Sequence, residues 1–265
     1  SATSTVCRMI RLSYCLEPFR NTMSRPVALV TGGGQGIGAA TCKRLAEDGY
    51  DILLTYNTSS KPAEMLVDQI RESGNDALAV KVDCSNQGEV SLLGIHPWMA
   101  RKIEVLVLNH GAYNRVAADE LTIDTLRETM AVNFEGSVAV WKAIQPHLSQ
   151  DARMVVVGSQ LGTRGSPHGA DYSASKAALA VWARSLAQQV GPEGKRVNIL
   201  APGYVDTAIL AGDSEQKRAQ RENEVPLKRV GTPEDMASTI SFLVSDDSAY
   251  ITGSIIHVNG GLYLP

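Results

Sequence analysis

The chain has 265 residues, 44% of them hydrophobic, and its 25 Lys and Arg against 28 Asp and Glu give a formal net charge of -3. This length suits a single α/β domain, and no basic stripe of the kind that binds nucleic acid is present. No apolar run approaches the roughly 20 residues that cross a bilayer. We therefore expect a cytoplasmic protein with no nucleic-acid or membrane partner. Its four cysteines and five histidines are scattered, so we expect no metal site.

Residues 1–22 differ in composition from the rest of the chain. They contain three arginines, several Ser and Thr, and the single acidic residue Glu17. That composition is typical of a transit peptide, a leader that would place the protein in an organelle matrix. We favour the alternative, an upstream or expression-derived extension with Met23 as the natural start and the folded domain spanning residues 23–265.

From Pro26 onward, short apolar runs alternate with helical patterns. Seven strands are predicted, at Val27–Val30, Ile52–Thr55, Ala77–Val82, Val105–Leu108, Met154–Val157, Val197–Leu200 and Ile255–Val258. The main helices are predicted to end near Leu45 and to cover Ala63–Glu72, roughly Asp119–His147, Tyr172–Val190 and Glu234–Val244. This alternation indicates an α/β fold, a doubly wound parallel sheet of about seven strands with helices on both faces.

The third crossover helix is expected to be broken or short. Gly94 and Pro97 fall inside the segment where it belongs. A proline inside a helix costs about 3 kcal/mol or more.

A glycine-rich loop, Thr31–Gly38, lies between the first strand and the first helix. Glycines allow the backbone to turn tightly and to approach a pyrophosphate, and the helix N-terminus offers N–H groups to it. The strand–loop–helix context predicts a dinucleotide site in a Rossmann-like domain.

Tyr172 and Lys176 form a Tyr-x-x-x-Lys pair downstream of Ser159. Residues four apart share one face of a helix. A nearby ammonium favours the phenolate, so the pair predicts a tyrosine of lowered pKa that works as a general acid or base.

These motifs occur together in one order that resembles the short-chain dehydrogenase/reductase family over residues 26–263, most closely its 3-oxoacyl-thioester reductases. The loop follows the pattern Thr-Gly-x-x-x-Gly-x-Gly, and Tyr172 follows Ser159 by thirteen residues. The family segment Asn-Asn-Ala-Gly appears as Leu108-Asn-His-Gly111, with its first Asn and its Ala replaced. His110 receives no role from the resemblance.

The resemblance implies four catalytic residues. Tyr172 transfers the proton, Ser159 binds the substrate oxygen, Lys176 lowers the tyrosine pKa and binds the nicotinamide ribose, and Asn133 holds a water linked to Lys176. The implied cofactor-binding residues are Thr31, Gly32, Gly36, Ile37, Gly38, Tyr56, Asn57, Lys61, Asp83, Asn109, Gly111, Tyr172, Lys176, Pro202, Gly203, Val205 and Thr207.

The end of the second strand favours NADP(H) over NAD(H). An NAD-binding fold usually places a carboxylate there to bind the ribose 2′-OH. Residues 54–61 contain none and end in Lys61, whose ammonium suits a 2′-phosphate. NAD(H) remains possible, because many NADP-preferring relatives carry a basic residue where this chain has Gln35.

The expected substrate is a small-molecule carbonyl compound or secondary alcohol of moderate apolarity. Its pocket is expected to include Gln160, Leu161, Tyr204 and Leu210, with the segment after Thr207 as a mobile lid. Relatives that act on acyl carrier protein present arginines where this chain has Gln150 and Glu193. Most relatives are homotetramers joined through the helices around 120–148 and 172–190, with the C-terminal segment at a second interface.

Two other functions fit the same fold. A protein that binds the cofactor as a sensor or scaffold would need no proton donor, whereas this chain keeps Ser159, Tyr172 and Lys176. Isomerase or dehydratase chemistry has no residues of its own to support it.

Overall fold

The computed structural model describes residues 25–265, so the expected extension over residues 1–22 lies outside the described residues. Seven parallel strands form one sheet in the order β3-β2-β1-β4-β5-β6-β7. The strands are β1 Val27–Val30, β2 Asp51–Tyr56, β3 Ala77–Lys81, β4 Ile103–Leu108, β5 Leu148–Val157, β6 Arg196–Pro202 and β7 Ile255–Val258. The helices are α1 Gly36–Glu47, α2 Ser60–Glu72, α3 Gln87–Gly94, α4 Ile123–Met130, α5 Gly136–Ile144, α6 Leu161–Arg164, α7 Ala170–Val190, α8 Glu215–Glu224 and α9 Pro233–Val244. The predicted fold class is confirmed.

Helices cover both faces of the sheet. Along β1, Val27 and Leu29 pack into one core layer while Ala28 and Val30 pack into the other. The first layer is completed by α3, α5 and α7, and the second by α1, α2 and α9. A strand buried on both sides is apolar at every position, which explains the continuous runs in the sequence.

The strand order places a crevice at the carboxyl ends of β1 and β4. The chain winds outward from β1 through β2 to β3, then crosses back to β4 on the other side. Ligands of doubly wound sheets bind at such a switch point. The loops that follow β1, β4, β5 and β6 therefore meet at one edge.

The predicted helix over Asp119–His147 is wrong at its start and in its middle. Helix α4 begins at Ile123 because the Thr122 hydroxyl accepts a hydrogen bond from the Thr125 N–H, at 3.1 Å. A π-helical turn, Ala131–Glu135, then separates α4 from α5. Such turns often occur at functional sites.

The third crossover helix is short, as predicted. Helix α3 ends at Gly94, and Pro97 opens a 3-10 turn after it. Gly94 also has a packing role, since a Cβ there would lie 3.1 Å from the Ala143 carbonyl oxygen of α5. No helix within residues 25–265 combines the length and the apolarity that a bilayer crossing requires.

Candidate active site

A cavity of about 1160 Å³ opens at the carboxyl edge of the sheet. It runs from the end of β2, past the glycine loop, to α7 and the segment after β6. Most of the site residues predicted from sequence line it, namely Gly32, Gly36, Ile37, Tyr56, Asn57, Asp83, Asn109, Gly111, Ser159, Gln160, Leu161, Tyr172, Lys176, Pro202, Gly203, Tyr204, Val205, Thr207 and Leu210. Residues far apart in sequence thus meet in one space.

Four predicted residues lie outside the lining. Thr31 and Asn133 are completely buried behind it, and Gly38 packs under the glycine loop. Lys61 lies on the exposed first turn of α2, because that helix begins at Ser60 rather than at Ala63. The cation expected for a 2′-phosphate is therefore not part of the cavity wall.

The glycine loop has the shape that a pyrophosphate requires. Gly32 and Gly36 have φ of 63° and 52°, which side chains rarely adopt. A Cβ on Gly38 would lie 2.2 Å from the Gly32 carbonyl oxygen, so only glycine lets the loop close on α1. The first turn of α1 carries no acidic residue, and Gln35 makes no side-chain cap to it. A diphosphate fits at this helix N-terminus.

Asn109 fastens the glycine loop to β4. Its side-chain amide donates to the carbonyl oxygens of Thr31 and Gly32, at 3.1 and 3.0 Å. Its backbone N–H donates to the Thr31 hydroxyl at 3.0 Å. Asn109 therefore holds the glycine loop in place through both its side chain and its backbone.

The far end of the cavity suits an adenosine with a phosphate on its ribose. Tyr56, Asn57 and Ser59 line it and carry no negative charge. Asp83 lies on the neighbouring strand end, where hydrogen bonds from Ser85 hold the pKa of its carboxyl below the usual value. An ionised Asp83 at that position can accept hydrogen bonds from an adenine amino group.

Ser159 and Tyr172 meet above the other end of the cavity. Both side chains line the cavity, and the Tyr172 ring packs against the Tyr113 ring with centroids 4.6 Å apart. Burial raises the pKa of Tyr172 to about 12, and the interaction with the Ser159 side chain only partly offsets this rise in pKa. The predicted lowering of this pKa is therefore wrong, because desolvation of the phenol is the largest effect on it.

Lys176 lies beneath Tyr172, one helical turn along α7. Its Nζ is 5.8 Å from the Tyr172 ring centroid and donates to the Val157 carbonyl oxygen at 2.8 Å. The side chain is almost completely buried, and this burial lowers the pKa of Lys176 to about 8. The ammonium is held toward the strand end and not directly against the phenol.

The π-turn delivers Asn133 to the back of this cluster. The Asn133 side chain accepts from the Ala112 N–H at 2.7 Å and donates to the Ala112 carbonyl oxygen and to the Ser175 hydroxyl. A Cβ on Gly111 would touch both Asn133 and Lys176. The side chain thus fixes the loop after β4 against α7.

His110 was left without a role by sequence reasoning, yet it bridges three elements. Its Nδ1 lies 2.7 Å from the Thr31 hydroxyl, and its Nε2 lies 3.4 Å from the Ser137 hydroxyl. Burial and the Lys176 charge lower the pKa of His110 to about 3. A neutral imidazole with the proton on Nε2 satisfies both contacts, since Ser137 itself donates to the Asn133 carbonyl oxygen.

Further lining residues come from the loop after β4 and from α8, namely Tyr113, Arg115, Lys217 and Arg221. Neither segment has a motif that would have singled these residues out. Tyr204 joins them, because its ring lies 4.4 Å from the Arg221 guanidinium and its hydroxyl donates to Glu224. No group of His, Cys, Asp and Glu within the described part of the chain could hold a metal ion.

Known proteins share this sequence and architecture. A family model described as Enoyl-(Acyl carrier protein) reductase matches residues 32–263. The crystal structure of a short chain dehydrogenase from Burkholderia cenocepacia in complex with NADP is 36% identical, with a TM-score of 0.84. The match covers 90% of this chain and 97% of that one. The chain belongs to the short-chain dehydrogenase/reductase family.

Two relatives within the short-chain dehydrogenase/reductase family illustrate its range. A 3-oxoacyl-(acyl-carrier-protein) reductase of Staphylococcus aureus is 32% identical over 241 residues, covering 89% of this chain and 98% of its own. A cyclohexanol dehydrogenase of a Rhodococcus species is 36% identical over 261 residues, covering 89% and 95%. This chain is an oxidoreductase of the same family, and the two relatives differ in the substrates that their names record.

Proposed function

We propose that the protein is an NADP(H)-preferring reductase of ketones, of the 3-oxoacyl type or of a similar small carbonyl compound. The observation that carries the proposal is the meeting of Ser159, Tyr172 and Lys176 at one end of a cavity whose other end fits a dinucleotide. The bound nicotinamide supplies the hydride for the carbonyl carbon. The residues of the chain must then supply a proton to the carbonyl oxygen.

Tyr172 is assigned that proton transfer. With its pKa near 12, the phenol is protonated at neutral pH and can donate to the oxygen as negative charge develops there. Ser159 offers the second hydrogen bond to the same oxygen, which fixes the approach of the carbonyl. Lys176 is the cation beneath the phenol and the group assigned to the nicotinamide ribose, while Asn133 keeps the loop after β4 in place.

The cofactor preference rests on charge at the end of β2. Tyr56, Asn57 and Ser59 would surround the 2′-position of an adenosine without opposing a phosphate. The Burkholderia relative, which holds NADP, supports the same choice. Tighter binding of NADPH than of NADH, measured by quenching of protein fluorescence, is the expected result.

The activity is tested by substituting Tyr172. Wild-type protein is expected to oxidise NADPH with an acetoacetyl thioester, a diketone or an aromatic ketone, followed at 340 nm. Tyr172→Phe should lower kcat by a factor of about 100 to 10,000 in protein that still binds NADPH. Tyr250→Phe is the matched control, because Tyr250 is fully exposed and remote from the cavity lining.

The outcomes separate the enzyme from its alternative. Full activity in Tyr172→Phe would contradict the proposed proton donor. Tight NADPH binding with no turnover of any carbonyl compound would favour a sensor or scaffold. An enoyl thioester belongs in the panel because the matching family model carries that description, and reduction of it alone would move the assignment to carbon–carbon double bonds.

A homotetramer is part of the proposal. Helices α4 and α7 expose Ile123 and Val181, whose exposed fractions are 62% and 61%. These are the helices through which most members of the family associate.

A further inference from the structure

Three cations converge on a single carboxylate at the mouth of the cavity. Asp213, between β6 and α8, lies 2.5 Å from Arg221 Nε. Lys217 Nζ and Arg115 Nη2 each lie 3.7 Å from the other oxygen of Asp213. Arg115 comes from the loop after β4, so two separate segments supply the positive charge.

The cations face the cavity and the carboxylate does not. Arg115, Lys217 and Arg221 line the space, whereas Asp213 lies behind them with 7% of its side chain exposed. The hydrogen bond from Arg221 holds the pKa of Asp213 below its usual value, so the carboxyl is ionised at neutral pH. Asp213 therefore neutralises only one of the three positive charges.

Two nearby acids, Asp206 and Glu224, are engaged elsewhere, while Glu234, in the first turn of α9, also lines the cavity. Asp206, which also lines the cavity, pairs with Arg218 at 2.8 Å. Glu224 accepts a hydrogen bond from the Tyr204 hydroxyl and is not part of the cavity lining. A field of one sign in a cleft attracts ligands of the opposite sign.

Holding the lid closed accounts for only part of this cluster, through Arg221 and through a 3.4 Å hydrogen bond from Arg115 Nη2 to the Ile209 carbonyl oxygen. Arg221 alone makes hydrogen bonds to Asp213, since the 3.7 Å separations of Arg115 and Lys217 exceed hydrogen-bonding distance. Their side chains are 40% and 48% exposed. Both can turn their N–H groups to an incoming anion while Asp213 keeps Arg221.

The cluster lies close to the reacting groups. Tyr113 packs on the Tyr172 ring, and Arg115 follows Tyr113 by two residues, which is at most about 7 Å of chain. Arg221 lies over the ring of Tyr204, a residue expected to line the substrate pocket. An anion bound by the cluster would belong to the molecule whose carbonyl reaches Tyr172.

We propose that the substrate is a ketone carrying a carboxylate or a phosphate, which Arg115 and Lys217 bind at the cavity mouth. This inference rests on the proposed reductase function and specifies its substrate class. It adds a charge requirement that neither catalysis by Tyr172 nor cofactor binding needs.

The test compares ketones with and without an anionic group. To test for a carboxylate, 4-oxopentanoate is compared with its methyl ester. To test for a phosphate, acetoacetyl coenzyme A is compared with acetoacetyl N-acetylcysteamine thioester. In at least one of these pairs the anionic ketone should have a kcat/KM about tenfold higher or more than the neutral one. Arg115→Gln and Lys217→Gln should each reduce that preference about tenfold, and added salt should weaken the preference of the wild-type protein.

Lys228→Gln is the matched control. It removes one positive charge just after α8, but Lys228 is exposed, donates to the Asn223 carbonyl oxygen at 2.8 Å and does not line the cavity. The preference should therefore survive this substitution. Equal use of charged and neutral ketones, or an equal loss in Lys228→Gln, would overturn the anion site and leave the reductase assignment intact.

A binding measurement separates this inference from the proposed function. If wild-type protein reduces no ketone, 4-oxopentanoate and coenzyme A are titrated into the Tyr172→Phe complex with NADPH by calorimetry. Binding of either that weakens at least fivefold in Lys217→Gln supports the anion site even though the reductase assignment has failed. Binding of neither, or no effect of the substitution, contradicts the site itself.

Discussion

At the scale of single residues, His110 couples stability to pH. It is neutral in the folded protein, where its pKa is about 3, but titrates near its ordinary value of about 6.5 when unfolded. Between those values the unfolded chain binds the proton and the folded protein does not, so stability falls as pH falls from about 6.5.

The prediction for His110 is measured by urea unfolding at pH 7 and pH 5. After allowance for its partial exposure, wild-type protein should lose about 1 kcal/mol more over this interval than His110→Ala. At pH 7 the variant should be less stable by about 1–2 kcal/mol, since the Thr31 and Ser137 hydroxyls lose a partner. His147→Ala, on the turn after α5, controls for the loss of a histidine. An unchanged acid sensitivity in His110→Ala would contradict the argument.

Lys176 makes stability rise with pH as His110 does, but in the alkaline range. Its pKa of about 8 in the folded protein lies below the unfolded value of about 10.5. Below pH 8 the Lys176 amine is charged in both the folded and the unfolded state, and burying its ammonium destabilises the fold. Between about pH 8 and pH 10.5 the amine is neutral in the folded protein and still charged in the unfolded chain, so stability rises with pH. Relative to Lys176→Met, wild-type protein should gain about 2 kcal/mol between pH 7 and pH 9.5, measured by urea unfolding. Parallel pH curves for the two proteins would show that the lysine is not desolvated.

At the scale of elements, the conformation of the glycine loop depends on the absence of a side chain at Gly38, where the backbone of the loop packs closely on α1. Gly38→Ala places a Cβ 2.2 Å from the Gly32 carbonyl oxygen, so the loop must move away from α1. NADPH affinity should fall at least tenfold, and the melting temperature should drop. Gly191→Ala is the control, because its φ is -55° and no atom lies within 4 Å of the added Cβ. Unchanged NADPH binding in Gly38→Ala, measured by fluorescence, would separate the loop from cofactor binding.

The elements also show which information the sequence carries. Continuous apolar runs predicted all seven strands, because a strand covered on both faces has no polar positions. The start of β5, Leu148-Ser-Gln-Asp-Ala-Arg153, was missed because it is mostly polar, and the π-turn at Ala131–Glu135 has no periodic signal. Helix α2 was predicted to begin too late, so Lys61 was assigned to the cofactor.

The candidate site was predictable where motifs carry it. Spacing alone identified Ser159, Tyr172 and Lys176, but not the direction of the tyrosine pKa, since that depends on burial. The partners of His110 are 79 and 27 positions away in sequence, a contact that no local pattern reveals. The cation cluster at the cavity mouth likewise joins segments that only the fold brings together.

At the scale of the whole molecule, the exposed apolar side chains of α4 and α7 predict assembly. Ile123 and Val181 are exposed to solvent in the single chain, and packing against a partner chain would remove their apolar surface from water. Light scattering during gel filtration should give four times the 28.4 kDa chain mass. Val181→Lys should shift the mass to dimer or monomer, because a buried unpaired ammonium strongly opposes association.

Met65→Lys provides the matched control for that shift. Met65 is 54% exposed on α2, outside the two predicted interface helices, so its substitution should leave the mass unchanged. A monomer in the wild-type protein at micromolar concentration would contradict the tetramer. If Val181→Lys dissociates the assembly and also lowers kcat, the interface supports the site through α7, which carries both Val181 and Tyr172. Full activity in the dissociated variant would instead show that each chain holds a complete active site.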